Sequence, residues 1–219
     1  MDILKLENVG YRYQDANEDE FVLKNINYTF QEGKVYAIKG KSGSGKTTLL
    51  SLLSGLENCS IGSVLYKDKD LKKMNLDYYR SHCIGIVFQS FNLLSHLTAI
   101  ENIILSMDIS NIKESNKKEK AIQLLEKVGL TKEDTERRIL RLSGGEQQRV
   151  AIARSLSYNP SIILADEPTG NLDKETEDEV MKIFEDLAHK ENKCIIIVTH
   201  SKNVADRADE VYELTKRKK

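Results

Sequence analysis

Residues 40–47 read G-K-S-G-S-G-K-T, which matches the phosphate-loop pattern G-x-x-x-x-G-K-[ST]. The loop follows a short apolar run, residues 35–38, and opens a helical pattern over residues 46–53. Glycines in such a loop let backbone N–H groups close around phosphate oxygens that side chains would obstruct. Lys46 is then placed to reach the β- and γ-phosphates, and the Thr47 hydroxyl to bind Mg²⁺. A glycine-rich turn without a ligand would not need all of these features, so we predict a nucleoside triphosphate site.

The composition of the 219-residue chain is that of an ordinary globular protein, with 40% hydrophobic and 31% charged residues. A chain of this length can bury a substantial core as one domain, and its two prolines mark no obvious linker. The formal net charge of −1 gives no overall field that would favour nucleic acid, so we expect no nucleic-acid partner. Three widely spaced cysteines in apolar surroundings are typical of reduced core thiols rather than disulfides or metal ligands.

The sequence contains no stretch that predicts a membrane-spanning segment. Its longest apolar runs, such as residues 194–198, have the length of a strand and are far too short to cross a bilayer. The N-terminal residues M-D-I-L-K lack the basic segment and apolar run of a signal peptide. We therefore expect a cytoplasmic protein that reaches the membrane only through a partner.

The order of the apolar patterns predicts an α/β fold. Two stretches near the start of the chain alternate between apolar and polar residues, as half-buried strands do. Residues 161–166 and 193–199 are continuous apolar runs of the parallel-sheet kind, and they flank a predicted helix at residues 174–189. We expect a single domain over residues 1–219, with a parallel core, an antiparallel β edge and a helical subdomain inserted roughly at residues 90–158.

Two adjacent carboxylates end the apolar run at residues 162–167. Successive side chains of a strand point to opposite faces, so Asp166 and Glu167 are not expected to have the same orientation. We predict that Asp166 faces Mg²⁺ and that Glu167 polarises the water that attacks the γ-phosphate. The alternative, a pair of charges that only caps the strand end, is disfavoured by the phosphate loop.

Polar residues also follow two other predicted strands. Gln89 comes directly after the run at residues 84–88, and His200 follows the run that ends at Thr199. In a parallel sheet the carboxyl ends of the strands surround the ligand crevice. Taken alone, each would more often be an ordinary loop residue, but together with the motifs above both are predicted to face the γ-phosphate.

A second glycine-containing segment, residues 142–149, reads L-S-G-G-E-Q-Q-R and continues as a helical pattern. It carries no His, no Cys and no pair of carboxylates. A Ser hydroxyl and backbone N–H groups at the start of a helix suit an anion. Because the phosphate loop already provides one phosphate site, this segment requires a second ligand.

Together these motifs resemble the ATP-binding subunit of ATP-binding cassette (ABC) transporters, and the resemblance covers nearly the whole chain. The motifs in the family's order and spacing are the phosphate loop, Gln89, residues 142–147, Asp166, Glu167, residues 171–173 and His200. The resemblance implies a P-loop NTPase core of the ABC ATPase type, with an antiparallel β subdomain and a helical subdomain. It implies ATP and Mg²⁺ as cofactors and ATP hydrolysis as the reaction.

The resemblance also implies roles for individual residues. Glu167 would be the catalytic base, and His200 would contact the γ-phosphate as a switch. Tyr13 would stack on adenine, with Tyr11 as the second choice. The residues that would hold the nucleotide are Tyr13, Gly40, Lys41, Ser42, Gly43, Ser44, Gly45, Lys46, Thr47, Thr48 and Gln89. The residues that would hold Mg²⁺ are Thr47, Gln89 and Asp166.

Two partners follow from the same resemblance. The first is a second copy of the chain in an ATP-bound homodimer, with Asp173 at the dimer seam. The residues that would contact the ATP bound to the opposite subunit are Ser143, Gly144, Gly145 and Glu146. The second is an integral-membrane permease that would dock on the segment between Phe91 and Leu94, which would place the chain at the inner face of the cell membrane.

Finer strings are similar to the MacB and LolD group of ABC ATPases, which work with four-helix permeases. These strings are A-D-E-P-T-G-N-L-D at residues 165–173, F-Q-S-F-N-L-L at residues 88–94 and L-T-A-I-E-N at residues 97–102. Residues 8–13 and 25–30 look most like a Vex-type peptide exporter ATPase. The resemblance therefore implies export of a peptide, a lipoprotein or an antimicrobial compound.

One alternative function stays open, and a second is disfavoured. A signalling ATPase similar to the division-associated FtsE type shares residues 142–149 and 168–173 and moves no substrate. A soluble ABC protein of DNA repair or translation would carry long coiled-coil insertions or two cassettes, and this sequence shows neither.

After residues 211–214 no further glycine turn and strand follow, so we expect no C-terminal regulatory domain. The basic residues 216–219 could touch anionic lipid, although a frayed terminus is the preferred interpretation.

Overall fold

A computed structural model describes residues 1–13, 15 and 20–215. Within these residues the strands are β1 (Asp2–Tyr11), β2 (Leu23–Gln31), β3 (Val35–Lys39), β4 (Ile61–Tyr66), β5 (Lys69–Asp70), β6 (Ile84–Val87), β7 (Ile162–Asp166), β8 (Cys194–Thr199) and β9 (Glu210–Glu213). The α-helices of the same residues are α1 (Lys46–Leu53), α2 (Leu76–Tyr78), α3 (Ala99–Ile109), α4 (Lys117–Lys127), α5 (Lys132–Thr135), α6 (Gly144–Ser155), α7 (Lys174–His189) and α8 (Lys202–Arg207). The prediction for the basic residues 216–219 lies outside the described residues.

The centre of the molecule is a five-stranded parallel sheet in the order β6-β7-β8-β3-β9. Every residue of β8 is buried, which explains its continuous apolar run. Ile195 and Ile197 face a cluster formed with α3, α4, α6 and α7, whereas Ile196 and Val198 face a second cluster with β1 and α1. The predicted α/β fold and its β7-α7-β8 unit are confirmed.

The parallel arrangement brings several loops to one edge of this sheet. The loop after β3 is the phosphate loop, and the segments after β6, β7 and β8 begin with Phe88, Glu167 and His200. Because all of these strands run in the same direction, their carboxyl ends meet at a single crevice. The fold therefore positions the chemistry predicted from separate parts of the sequence.

A four-stranded antiparallel sheet, in the order β2-β1-β4-β5, covers the α1 side of the core. The apolar patterns of the sequence predict β1 and β2 but not β4. This strand begins at the exposed residue Ile61 and contains Gly62, so its apolar pattern is weak. Gly62 has a φ of 77°, and a Cβ at this position would lie 2.3 Å from the carbonyl oxygen of Glu7.

Replacing Gly62 by Ala should lower the free energy of unfolding by about 2–4 kcal/mol, since left-handed strain and a backbone clash act together. Gly129→Ala is the matched control, because Gly129 has a φ of 83° but no atom within 4 Å of its Cβ position. This control should lose only about 1 kcal/mol, the cost of the left-handed conformation alone. Urea unfolding of both variants measures the difference, and equal losses would contradict the clash.

Helices α3 to α6 lie between β6 and β7 in the chain and pack against one another around the first apolar cluster. Helix α3 begins at a capping box in which Thr98 and Glu101 bind each other's backbone N–H groups. The helix start is thereby fixed immediately after the loop that follows β6. No helix within residues 1–13, 15 and 20–215 is both long and apolar enough to cross a membrane.

Candidate nucleotide-binding site

The phosphate loop leaves the first turn of α1 open toward an anion. Gly45 precedes the helix with a φ of 94°, and no side chain caps the helix at this point. This left-handed conformation favours glycine, and a Cβ at Gly45 would also lie 2.8 Å from Leu23 Cδ2. Lys46 Nζ donates to the carbonyl oxygens of Gly40 at 2.8 Å and Lys41 at 3.4 Å, which folds its side chain back over the loop. The arrangement suits a phosphate group.

A cavity of about 740 Å³ opens beside the loop, a volume typical of small-ligand sites. The residues that line it are Tyr13, Val22, Ser42, Gly43, Gly45, Lys46, Thr47, Thr48, Gln89, Asp166, Glu167 and His200. The structure therefore brings Gln89 and His200 together with both carboxylates and the phosphate loop. The phosphate loop, Gln89, the two carboxylates and His200 lie at or just after the ends of four different strands, β3, β6, β7 and β8, and the fold brings them together.

Thr47 and Asp166 place two oxygen atoms side by side on the cavity wall. Thr47 Oγ1 donates to Asp166 Oδ2 at 3.5 Å. Burial, and then the charge of Glu167, raise the pKa of Asp166 above its ordinary value, so the carboxylate is in a setting that a cation would stabilise. Mg²⁺ commonly takes one or two such protein oxygens and completes its shell with phosphate and water. The pair fits Mg²⁺ on a nucleotide, and the described residues contain no cluster of three or more His, Cys, Asp or Glu that could hold a metal alone.

Glu167 has a left-handed backbone with a φ of 45°. For a residue other than glycine this costs on the order of 1–3 kcal/mol and persists only where the surroundings hold it. The Glu167 N–H donates to Val198 O at 2.9 Å, and the Gly170 N–H donates to Glu167 O at 3.1 Å. Strand β7 ends at Asp166, so the prediction from strand alternation does not apply to Glu167, and both carboxylates line the cavity.

The Glu167 carboxylate is held by its neighbours on the next strand end. Its Oε2 accepts from Thr199 Oγ1 at 3.1 Å and from the His200 N–H at 3.2 Å. Its Oε1 lies 2.9 Å from His200 Nδ1 and 4.0 Å from Lys46 Nζ. The Glu167 side chain is 13% exposed, against 69% for His200. A fixed, largely buried carboxylate at a phosphate site is well placed to accept a proton from water.

Tyr13 is the aromatic residue of the cavity. Its side chain is largely exposed, its hydroxyl lies 3.3 Å from Thr48 Oγ1, and its ring packs edge-on against Tyr11. Tyr11, the second choice for stacking on adenine, is buried in the core. The structure therefore favours Tyr13, because only its ring has a face available to a base.

Three residues of the phosphate loop do not line the cavity. These are Gly40, Lys41 and Ser44. The Ser44 N–H donates to Lys41 O at 3.1 Å, and a Cβ at Gly40 would lie 2.4 Å from Ser44 Oγ. These contacts lie within the loop, so they help to fix its shape.

The residues predicted to contact a second nucleotide also lie outside this cavity, at the start of α6. They are Ser143, Gly144, Gly145 and Glu146. Ser143 Oγ accepts from the Glu146 N–H at 3.3 Å, and Glu146 Oε2 accepts from the Ser143 N–H at 2.6 Å. This capping box gives Glu146 a structural contact that was not among the predicted ones, although the S-x-x-E spacing indicates it. The Gly144 and Gly145 N–H groups lie in the first turn, where helix geometry provides no acceptor.

Asp173 caps α7 close to this segment. Its carboxylate accepts from the Thr176 N–H at 3.0 Å and from Thr176 Oγ1 at 2.9 Å, and the backbone bond lowers the pKa of Asp173. A Cβ at Gly145 would lie 2.4 Å from Thr176 Cγ2, so the starts of α6 and α7 are in contact. The predicted seam residue and the predicted second-nucleotide segment are thus neighbours.

Two residues of the site were not identified from the sequence. Val22 lines the cavity just before β2, and Thr199 donates to Glu167 from the last position of β8. Val22 carries no chemical signal in the sequence. Thr199 carries one, because a hydroxyl at the end of an otherwise apolar buried strand requires a polar partner.

Comparison with known proteins gives one family. A family model for the ABC transporter matches residues 23–170. The chain is 44% identical over 209 residues to the uncharacterized ABC transporter ATP-binding protein YclH of Bacillus subtilis, covering 95% of this chain and 92% of that protein. It is 41% identical over 218 residues to the lipoprotein-releasing system ATP-binding protein LolD of Treponema denticola, covering 98% of this chain and 96% of that protein.

A solved structure gives the same result for the fold. The dimeric post-hydrolysis state of the ATP-binding cassette MJ0796 bound to ADP and Pi matches with a TM-score of 0.87 and 35% identity, over 99% of this chain and 97% of that one. The predicted ABC ATPase fold, the ATP and Mg²⁺ cofactors and the hydrolytic activity are confirmed. The chain belongs to the ATP-binding, ATP-hydrolysing subunits of ABC transporters.

Proposed function

We propose that this chain hydrolyses ATP within a homodimer and thereby drives a separate membrane permease that exports a peptide, a lipoprotein or an antimicrobial compound. The observation that carries the proposal is the position of the α6 start, where the Gly144 and Gly145 N–H groups have no intrahelical acceptor and which lies outside the chain's own cavity. A nucleotide held by a second copy would supply that anion. The dimeric MJ0796 cassette supports the homodimer, and the name of LolD supports a lipoprotein as cargo.

In the proposed reaction Glu167 accepts a proton from the water that attacks the γ-phosphate. Lys46 and the N–H groups at the start of α1 stabilise the charge that develops on the phosphate oxygens. His200 Nδ1 lies 2.9 Å from Glu167 Oε1 and orients that carboxylate. The same side chain contacts the γ-phosphate and thereby distinguishes ATP from ADP. Bound Mg²⁺, held by Thr47 and Asp166 with Gln89 nearby, would supply additional positive charge at the β- and γ-phosphates.

The permease is proposed to dock on the segment between Phe91 and Leu94. Asn102, a buried residue of α3, holds this segment: its Oδ1 accepts from the Leu94 N–H at 2.9 Å, and its Nδ2 donates to Leu94 O at 3.2 Å. Arg154 of α6 donates to the carbonyl oxygens of Phe91 and Asn92. The backbone is therefore fixed while Leu94 stays 41% exposed, which suits an apolar contact with a partner helix.

Replacing Leu94 by Glu should weaken the association of the chain with membranes of its own organism by about tenfold or more, because a charge would replace an apolar side chain that docking on the permease would bury. Sedimentation of membranes with the tagged chain measures this association, and basal ATP hydrolysis should not change. Ile109→Glu is the control, since Ile109 is a more exposed apolar residue of α3. Equal losses in both variants would contradict docking at Leu94.

The transport function is tested on the complex itself. The tagged chain is purified from detergent-solubilised membranes with its integral-membrane partner and reconstituted in liposomes. Hydrolysis is then measured with a triacylated lipopeptide, with an unacylated cationic peptide and without either. Stimulation by one of the two supports export and identifies the cargo class. Copurification with a cell-wall hydrolase, without stimulation by either peptide, would instead favour a signalling ATPase of the FtsE type.

A further inference from the structure

Glu177 connects the segment that carries Glu167 to the segment that carries His200. It lies in the first turn of α7. Its Oε2 accepts from Thr169 Oγ1 at 2.9 Å, and its Oε1 accepts from Asn203 Nδ2 at 2.7 Å. Thr169 lies two residues after Glu167, and Asn203 lies three residues after His200. One carboxylate therefore holds both segments at once, one with each oxygen.

The segment on the Glu167 side depends on this contact. Thr169 is 4% exposed, so loss of its acceptor would leave a buried hydroxyl without a partner. The Leu172 N–H donates to Thr169 O at 3.1 Å, and the Gly170 N–H donates to Glu167 O. The turn after β7 is thus anchored to α7 through one side chain, next to a Glu167 backbone that is strained and must be held in place.

The segment that carries His200 is also anchored by side-chain hydrogen bonds. The Ser201 N–H donates to Thr199 Oγ1 at 2.9 Å, and Thr199 Oγ1 in turn donates to Glu167 Oε2. Asn203 follows in the first turn of α8 and donates to Glu177. Together with the short chain segments 201–203 and 167–169, these hydrogen bonds form a closed ring from the Glu167 carboxylate through Thr199 and α8 to Glu177, and back through Thr169 to Glu167.

We propose that Glu177 is a positioning residue for ATP hydrolysis, which fixes Glu167 and His200 relative to each other without touching the nucleotide. Glu177 does not line the nucleotide cavity, so its effect on hydrolysis is indirect. The inference rests on the roles proposed above for Glu167 and His200. Its consequence is specific: the rate of the chemical step depends on Glu177, whereas the affinity for ATP does not.

The test is Glu177→Ala, which should lower kcat by about 10- to 100-fold, because both segments lose their common anchor. The dissociation constant for a fluorescent ATP analogue should be unchanged. Glu177→Gln should restore most of kcat, since its amide oxygen can accept from Asn203 and its NH₂ can donate to the Thr169 hydroxyl. A role in charge alone would not be rescued by Gln.

The matched control is Glu175→Ala. Glu175 lies in the same first turn of α7 and is exposed, so its removal takes the same charge from the helix start. Thr169→Val removes one of the two hydrogen bonds at nearly constant volume. It should lower kcat in the wild-type chain and have little further effect in the Glu177→Ala background, because the two residues act as one unit. If Glu177→Ala fails to fold, the kcat and the ATP affinity of Thr169→Val provide the test instead.

Three results would overturn the inference: equal kcat losses for Glu177→Ala and Glu175→Ala, a kcat loss that Gln does not recover, or a parallel loss of ATP affinity. Glu167→Gln separates this inference from the proposed function. If Glu167→Gln is inactive while Glu177→Ala is fully active, the positioning role fails and the assignment of the base survives. If Glu167→Gln is itself fully active, the base assignment fails and the positioning role fails with it.

Discussion

Glu167→Gln is expected to slow ATP hydrolysis by about 10²-fold or more, because general-base catalysis contributes typically 10²–10⁴-fold. The amide keeps the shape of the side chain and can still accept from Thr199 and from the His200 N–H, which the structure places at 3.1 Å and 3.2 Å from Oε2. It cannot take up the proton of the attacking water. The loss should therefore appear in the chemical step, with ATP binding retained.

The measurement is phosphate release at saturating ATP, together with sedimentation in the presence of ATP. Because hydrolysis ends the ATP-bound state, the variant should accumulate as an ATP-bound dimer under conditions where the wild-type chain does not. Glu57→Gln is a suitable control, since Glu57 is exposed and does not line the cavity. Wild-type turnover in Glu167→Gln would refute the assignment of the base.

Motifs with local geometry were predictable from the sequence. The phosphate loop needs only a strand, glycines, Lys46 and the start of a helix, and all of these are consecutive in the chain. Likewise, the continuous apolar run of β8 indicates a strand buried on both faces, and its residues are buried. The meeting of Gln89 and His200 at the loop follows once these strands are taken as parallel.

Features that depend on distant contacts were not predictable in this way. Strand β4 was not predicted, because Gly62 interrupts its apolar pattern. The glycine is needed there because the backbone of β1 approaches too closely for a side chain. The left-handed backbone of Glu167 is held by β8 and the turn that follows, so no local pattern indicates it. The contact between Glu177 and Asn203 joins α7 to α8, and it exists only in the folded chain.

Two hydrogen-bond contacts of the site have a signal in the sequence. The S-x-x-E spacing at Ser143 and Glu146 is a capping box, and the structure uses it as one. The contact of Glu146 with the ATP of a partner subunit stays a prediction beside this structural role. Thr199, a hydroxyl at the end of a buried strand, indicates a polar partner, and that partner is Glu167. In both cases a local hydrogen-bond rule was available from the sequence.

Ser143→Arg is expected to leave ATP binding by the single chain intact and to lower hydrolysis by about 10²–10³-fold. Removal of one preorganised hydrogen-bond donor to a transition state typically costs this much. Ser143 lies outside the chain's own cavity, so binding there does not depend on it. The larger side chain would occupy the space in front of the Gly144 and Gly145 N–H groups. Ser115→Arg, at an exposed position outside the cavity, controls for the added charge.

A mixture of Ser143→Arg and Glu167→Gln chains distinguishes sites shared between two subunits from sites complete within one. In a shared-site dimer, the mixed pair has one site with the intact Glu167 of one chain and the intact Ser143 of the other. Equal mixing should therefore recover roughly a quarter of wild-type hydrolysis, since half of the dimers carry one intact site of two. Sites complete within each chain would give no recovery, because every chain in the mixture is defective. Turnover that stays at the level of the separate variants would thus contradict the composite site.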